Sequence, residues 1–343
     1  MGNPRLFTEP YDKSKHFSTV SAIRITLFLI TIMITATSFA LAEDVCLSCH
    51  GQRTMPFYID DALYGESVHG LFRCVSCHTT IDKYPHREVK KVDCRICHLR
   101  GVFGASKNQA LQYQLSIHGR ALSAGVENAP RCQSCHGSHY IFPPEDYRSK
   151  TFRKKIPSLC AGCHPVEHKS YSTSIHGTEF IRKDNMRAAV CFDCHEEHLI
   201  PEPKERKWKL WLISECGSCH KKQLDTYRAT YHGSVTELGY TTVAKCSDCH
   251  GSHDILPPNN PSSTLSGVNI LGTCRKCHPN ATRNFTKYYA HPDKHNREKY
   301  PQLYYTNLFM VVLLTGVFCF FLPHTLLWGY RSLKERIERK GKR

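Results

Sequence analysis

Two apolar stretches interrupt an otherwise polar chain. The first, from Ile25 to Phe39, follows scattered basic residues and ends in the small–x–small sequence Ala40-Leu41-Ala42. It is short and threonine-rich for a membrane-spanning helix, and a basic segment, an apolar segment and small residues are the parts of a secretory signal. We therefore predict a signal peptide over residues 1–42, with an uncleaved N-terminal anchor as the alternative.

The second apolar stretch, from Thr306 to Tyr330, is long enough to cross a bilayer as a helix, and we predict a transmembrane helix over 303–330. Tyrosines and a tryptophan stand at its two ends, as in an aromatic belt: Tyr304, Tyr305, Trp328 and Tyr330. Seven basic residues follow within 331–343. The positive-inside rule then predicts a cytoplasmic tail over 331–343 and a periplasmic domain over 43–302, held in the inner membrane by its C-terminus.

Residues 43–302 carry the candidate chemistry, in nine Cys-x-x-Cys-His units that use eighteen of the nineteen cysteines. The cysteine pairs are Cys46 and Cys49, Cys74 and Cys77, Cys94 and Cys97, Cys132 and Cys135, Cys160 and Cys163, Cys191 and Cys194, Cys216 and Cys219, Cys246 and Cys249, and Cys274 and Cys277. The closing histidines are His50, His78, His98, His136, His164, His195, His220, His250 and His278. This spacing lets two thiols form thioethers to one porphyrin while the adjacent histidine binds the iron, so we predict nine haem c groups.

Three other uses of paired cysteines compete with haem attachment. A zinc ribbon does not require a histidine after every second cysteine. A thioredoxin-like redox motif occurs once, on a βαβ pattern that this sequence lacks, and a disulfide scaffold would not repeat one five-residue unit nine times. The repetition therefore favours haem.

The motifs recur with a period of about 58 residues. Cys132-Gln-Ser-Cys-His-Gly-Ser-His139 returns in related form as the segments ending at His198 and His253, and simpler motifs lie between them. We interpret the chain as one opening haem unit followed by four two-haem modules. Nine further histidines occupy positions that fit this organisation and are predicted to be the sixth ligands: His69, His86, His118, His139, His176, His198, His232, His253 and His291.

The count of nine irons and nine distal histidines predicts bis-histidine, low-spin haems throughout. His86 departs most from the repeat, and Met55, His168 and His295 are the possible substitutes. In Cys-His-x-x-His the two imidazoles are too close in sequence to lie on opposite faces of one haem. The second histidine should therefore bind a neighbouring haem and join successive motifs.

About 29 residues per haem cannot enclose a large aliphatic core, so porphyrins must supply most of the buried apolar surface. We expect a mostly irregular chain with short α-helices, little sheet and no domain boundary within 43–302. The formal charge of +16 falls to +9 without residues 1–42 and 331–343, and eighteen haem propionates would outweigh that excess. Nucleic acid is therefore not an expected partner.

These motifs resemble the periplasmic multihaem cytochromes c, including the class III cytochromes and their nine-haem relatives. The resemblance spans residues 43–300 and implies electron transfer, typical of anaerobic respiration, rather than catalysis. A membrane anchor also suggests kinship with the NapC/NirT-type quinol dehydrogenases, but those carry the anchor at the N-terminus. Complexes that pair a multihaem subunit with a b-type or other quinone-reactive membrane subunit are the closer analogy, with periplasmic or extracellular redox proteins as the other partners.

Two further functions remain open. A nitrite, hydroxylamine or sulfite-type reductase would need an iron with an open position, which the histidine count does not supply. A haem scaffold or filament fits poorly with a membrane helix. Within the apolar stretch, His324 could contact a quinone or a partner's haem or lie inertly near the interface, and Cys319 is interpreted as a small apolar residue.

Overall fold

The computed structural model describes residues 44–86, 88–102, 107–203 and 205–341. Within those ranges the chain forms helices and irregular segments and no β-strand, which confirms the expectation of short helices with little sheet. The predicted signal peptide, as well as Lys342 and Arg343 of the basic tail, lie outside the described residues.

Most helices are shorter than ten residues, as expected for a chain whose motifs impose frequent turns. In chain order the α-helices are Asp44–His50, Asp61–Gly65, Cys74–Cys77, Arg95–His98, Lys107–Leu115, Ile117–Ser123, Cys132–His136, Ile156–Ala161, Pro165–Thr173, Ile175–Gly177, Cys191–His195, Arg206–Cys219, Lys221–Arg228, Tyr231–Glu237, Cys246–His250, Ile270–Arg275 and Pro301–Gly341. Single turns of 3₁₀-helix occur at Arg153–Lys155 and Phe285–Lys287, and a π-turn at Thr178–Arg182.

Three of the motif helices share a cap that explains why five residues suffice to form them. The side chain of the second intervening residue accepts a hydrogen bond from the backbone N–H just before the first cysteine: Ser134 from Arg131 (3.0 Å), Asp193 from Val190 (2.7 Å) and Asp248 from Lys245 (2.8 Å). Such a side chain satisfies an N–H in the first turn, and a carboxylate there also suits the helix dipole. A residue with positive φ then ends the turn after the histidine: Gly137, Glu196 and Gly251.

The chain divides into two compact units, Met1–Leu159 with His198–Ile200 and Cys160–Glu197 with Pro201–Arg343. Each has a small apolar core: Ala129, Phe142 and Ile156 in the first, and Phe180, Val190, Ile213, Tyr227 and Ala281 in the second. Both units take residues from the predicted 43–302 region, whose description as one domain stays a prediction.

The C-terminal helix, Pro301–Gly341, is long and apolar enough to cross a membrane, and its most apolar window is not buried within the protein. Its 41 residues give a length of roughly 60 Å, twice the hydrocarbon thickness of a bilayer. The helix passes through Pro323 and extends eleven residues beyond the predicted end at Tyr330. Lys, Arg, Glu and Leu are good helix formers, so the basic segment continues the helix.

Candidate functional site: paired histidines

Four of the predicted distal histidines lie in copies of one segment, Tyr-x-x-Ser/Thr-x-His-Gly, which are 64–70, 113–119, 171–177 and 227–233. In three copies the Ser or Thr hydroxyl donates to the tyrosine carbonyl and accepts from the glycine N–H, which caps a new helical turn: Ser116, Ser174 and Thr230. These three residues are buried. The histidine therefore stands at a fixed position in the first turn of a capped helix.

The tyrosine of each segment ties the distal histidine to the next motif. Its hydroxyl donates to the carbonyl two residues before the motif's first cysteine: Tyr64 to Phe72 (2.7 Å), Tyr113 to Pro130 (2.6 Å), Tyr171 to Ala189 (2.8 Å) and Tyr227 to Ala244 (2.9 Å). Sequence reasoning missed these tyrosines, although their constant place five residues before the histidine was a detectable signal.

A second link joins distal histidines that are far apart in the sequence. The backbone N–H just before the first distal histidine donates to the carbonyl of an isoleucine two residues after the second: Val68 to Ile141 (2.9 Å), Ile117 to Ile200 (2.8 Å) and Ile175 to Ile255 (2.8 Å). Each of these three hydrogen bonds holds a different pair of distal histidines near each other.

Glycine is required after the distal histidine because the backbone folds back closely there. A Cβ on Gly177 would clash with the carbonyl oxygen of Tyr171, and Gly119 and Gly233 meet their tyrosines in the same way. We expect Gly177→Ala to introduce about 1–3 kcal/mol of strain and to displace His176. The matched control is Gly272→Ala, where a Cβ meets nothing within 4 Å. Thermal unfolding of both variants should show a lower Tm for Gly177→Ala alone; equal Tm values would contradict the packing argument.

Eight motif histidines each face one distal histidine across a nearly constant distance. The ring centroids lie 5.8 Å apart in His50–His86, 6.3 Å in His69–His98, 6.0 Å in His78–His139, 5.9 Å in His136–His198, 6.1 Å in His176–His220, 5.9 Å in His195–His253, 6.2 Å in His232–His278 and 6.3 Å in His250–His291. Each pair takes one histidine from each predicted class.

The spacing stays constant while the angle between the ring planes varies from 7° in His136–His198 to 85° in His69–His98. Rings in direct contact would change their separation with that angle. Because a metal–imidazole bond is about 2 Å long, two rings on opposite sides of one ion have centres roughly 6 Å apart at any rotation. The pairs therefore fit two axial ligands of one metal.

The pairing follows a regular order along the chain. His78, His136, His195 and His250 face histidines that come later in the sequence, whereas His98, His220 and His278 face earlier ones. In Cys-His-x-x-His the two histidines belong to different pairs, as His136 and His139 illustrate. Every such pair spans another motif, so the motifs interlock.

Nine of the sixteen paired imidazoles have a lowered pKa, which favours the neutral state that a metal ligand needs. Burial, followed by the charge of a neighbouring histidine, lowers the pKa of His69, His78, His136, His139, His176, His195, His232 and His250. Burial also lowers the pKa of His291. His50 and His291 bond through Nδ1 to the carbonyls of Phe57 (3.0 Å) and Gln223 (3.1 Å), which orients the ring and leaves Nε2 as the ligand atom.

The first cysteines of consecutive motifs also meet in pairs. Hydrogen bonds join the thiols of Cys94 and Cys132, of Cys160 and Cys191, and of Cys216 and Cys246. The bond from the Cys132 side raises the pKa of Cys94, while burial raises the pKa of Cys194 to about 11. None of the nineteen cysteines, all within the described ranges, forms a disulfide.

The other candidates take different positions. His164 and His118 belong to different units, and His164 Nδ1 lies 4.0 Å from the Glu167 carboxylate. The possible substitutes Met55, His168 and His295 belong to none of the eight pairs. His324 and Cys319 are on the exposed C-terminal helix.

Trp208 is a residue of the site that sequence reasoning missed. Its indole stacks on His195 with centroids 5.7 Å apart and an angle of 11°. The indole Nε1 is buried and has no hydrogen-bond partner within the described chain. Trp208 lies in the helix Arg206–Cys219, which also carries the next motif, so that helix supports two neighbouring sites. A single tryptophan gives no sequence signal for this contact.

The arrangement does not fit zinc, because among the described residues no three His, Cys, Asp or Glu side chains gather as a metal cluster. A zinc site needs three or four protein ligands, whereas an iron held in a porphyrin needs two. Comparison of the chain with protein-family models, with curated proteins and with solved structures finds no match. The functional assignment therefore rests on the chain itself.

Proposed function

We propose that the chain is a membrane-anchored multihaem cytochrome c that transfers electrons through nine haems. The observation that carries this proposal is the set of eight histidine pairs with one spacing at all ring angles. Each pair contains a histidine that directly follows a Cys-x-x-Cys sequence, the spacing that attaches haem c. No other cofactor uses both features together.

The motif cysteines would hold each haem covalently, and the paired histidines would bind its iron. Haem supplies one-electron redox chemistry when bound. The chain's own residues favour the neutral ring by burial, as at His195, and orient the rings of His50 and His291 through Nδ1 hydrogen bonds. At the eight motifs with paired histidines, two protein ligands would leave no open position on the iron, which favours electron transfer over a nitrite, hydroxylamine or sulfite-type reductase at those sites.

The thiol contacts support two-haem modules with a different grouping from the sequence interpretation. They join the motifs beginning at Cys94 and Cys132, at Cys160 and Cys191, and at Cys216 and Cys246. The repeat in the sequence suggested that each of these motifs pairs with its other neighbour. Haems attached at adjacent thiols would lie close to one another, as a chain of electron carriers requires.

The C-terminal helix would anchor the haem domain in the inner membrane, with residues 43–302 in the periplasm and the basic end in the cytoplasm. A b-type or other quinone-reactive membrane subunit would exchange electrons at the membrane end, and periplasmic or extracellular redox proteins at the other. These partners follow from the proposed anchor and from the resemblance to membrane complexes that contain a multihaem subunit.

Purified holoprotein tests the proposal. We expect nine iron atoms per chain, covalently attached haem in denaturing gels, and low-spin signals alone in the oxidised electron paramagnetic resonance spectrum. Zinc in place of iron would overturn haem binding. A high-spin signal from the resting protein would instead overturn the all-bis-histidine assignment and favour the reductase.

A further inference from the structure

Large aromatic side chains are exposed together in the segment that precedes the C-terminal helix. The exposed fractions are 45% for Phe285, 55% for Tyr288, 61% for Tyr289 and 49% for Tyr305. Aromatic side chains clustered in this way on a surface mark a binding site, and tyrosine in particular suits a boundary between apolar and aqueous phases. We call residues 283–305 the collar.

Ring contacts fix the collar to the start of the helix. The rings of Tyr289 and Tyr300 meet edge to face with centroids 5.1 Å apart. The Arg297 guanidinium lies 5.5 Å from the ring centre of Tyr305, and the Lys299 ammonium 5.4 Å from that of Tyr300. The helix begins at Pro301, so the collar leads directly into its first turns and contacts them through Arg297 and Tyr305.

The collar is basic as well as aromatic. It contains Arg283, Lys287, Lys294, Arg297 and Lys299 against two acidic residues. One of those, Asp293, already lies 3.6 Å from Lys222. A surface of this charge attracts anionic headgroups, whereas a neutral protein partner would gain nothing from it.

The distance along the helix from Pro301 to the apolar stretch determines how deep the collar lies relative to the bilayer. The apolar stretch begins at Thr306, five residues after Pro301, which corresponds to about 8 Å of helix. With the apolar stretch in the hydrocarbon, Pro301 and the rings packed on it fall in the headgroup layer.

We propose that the collar binds the headgroup layer of an anionic phospholipid bilayer and so holds the haem domain against the membrane. We call this contact between the collar and the lipid the seat. This inference rests on the proposed membrane anchor. It adds a second contact, because a single helix would leave the haem domain to tilt and swing, whereas the collar holds one face against the lipid.

The seat places two histidine pairs at the membrane. His291 belongs to the collar, faces His250, and lines an open cavity of about 150 Å³ together with Lys222, Lys299 and Tyr300. Phe285 of the collar also lies 4.9 Å from the ring centre of His278, so the sites at the bilayer surface are those of the Cys246 and Cys274 motifs.

Thiol labelling of the full-length holoprotein in nanodiscs tests the seat. Cys319 is the cysteine outside the haem motifs, so labelling of the wild type measures how accessible the C-terminal helix is. The Cys319→Ala variant removes that thiol and is the background into which single cysteines are introduced. The test variant is Tyr288→Cys. The matched control is Val268→Cys, which is 82% exposed and lies in the same unit but outside the collar. The probe is a charged maleimide in discs of phosphatidylcholine with or without phosphatidylglycerol.

We expect Tyr288→Cys to label roughly tenfold more slowly than Val268→Cys in discs with phosphatidylglycerol, and at a similar rate in detergent. Adding Arg297→Gln and Lys299→Gln should remove most of that protection. Equal rates at both positions, with Cys319 protected, would overturn the seat and leave the anchor intact. Rapid labelling of Cys319 in the discs would instead overturn the anchor and the seat with it. If Tyr288→Cys is protected equally well in discs with and without phosphatidylglycerol, the preference for anionic lipid is overturned.

Discussion

His253→Ala is expected to convert one haem in nine from low to high spin. His253 faces His195 at 5.9 Å with the rings 20° apart, and His195 directly follows Cys194. Removing the distal ring leaves the iron of that motif with one protein ligand, so a weak-field water molecule takes the sixth position. About one ninth of the haem signal in the oxidised electron paramagnetic resonance spectrum should become high-spin.

The control for this variant is His168→Gln, because His168 belongs to none of the eight pairs. Its spectrum should match that of the wild type. A wholly low-spin spectrum from His253→Ala would show that another side chain binds that iron. High-spin signals from His168→Gln would show that the pairs omit a ligand.

The residue types of the site were predictable because covalent chemistry fixes their spacing. Two thiols must reach one porphyrin and a histidine must lie beneath its iron, so each motif is complete within five residues. The C-terminal helix was equally accessible, since length and apolarity decide it. The helix continues through the basic residues because these are good helix formers. The predicted end at Tyr330 did not take that propensity into account.

The partnership of the histidines could not be predicted from the sequence. His78 and His139 are 61 positions apart, and no local pattern connects them. Their approach depends on contacts such as the hydrogen bond from Val68 N–H to the Ile141 carbonyl and that from the Tyr64 hydroxyl to Phe72. The repeated tyrosine five residues before the histidine was visible in the sequence, but its hydrogen-bond acceptor was not, and the backbone bond to Ile141 involves no side chain that a pattern could mark.

The contacts of Trp208 and of the thiol pairs could not be predicted from the sequence either. Trp208 comes from the helix of the Cys216 motif but stacks on the histidine of the Cys191 motif. The hydrogen bond between Cys160 and Cys191 likewise crosses the module boundary that the repeat had suggested. A repeat in sequence fixes the period of a structure, whereas packing decides where one unit ends.

Under the proposed function, the interlocked pairs imply that residues 44–300 fold only when the haems are attached. Among the described residues, eight apolar side chains are buried, and they are divided between two units. That core is far smaller than a chain of this length needs to offset its conformational entropy. Ligation would join segments as far apart as His136 and His198, so binding free energy becomes folding free energy.

The same chain produced without haem attachment is therefore expected to be unfolded over 44–300, with its C-terminal helix retained. Circular dichroism in detergent should show the helix Pro301–Gly341 and little else, because the short helices need the packed pairs to persist. Under conditions of limited proteolysis that leave the holoprotein intact, the protein without haem should be degraded everywhere before Pro301. The holoprotein, made from the identical sequence, is the control. Protease-resistant fragments shared by the two forms would show that hydrogen bonds such as those of Tyr171 and Ser174 hold the domain unaided, and would contradict the dependence of folding on haem.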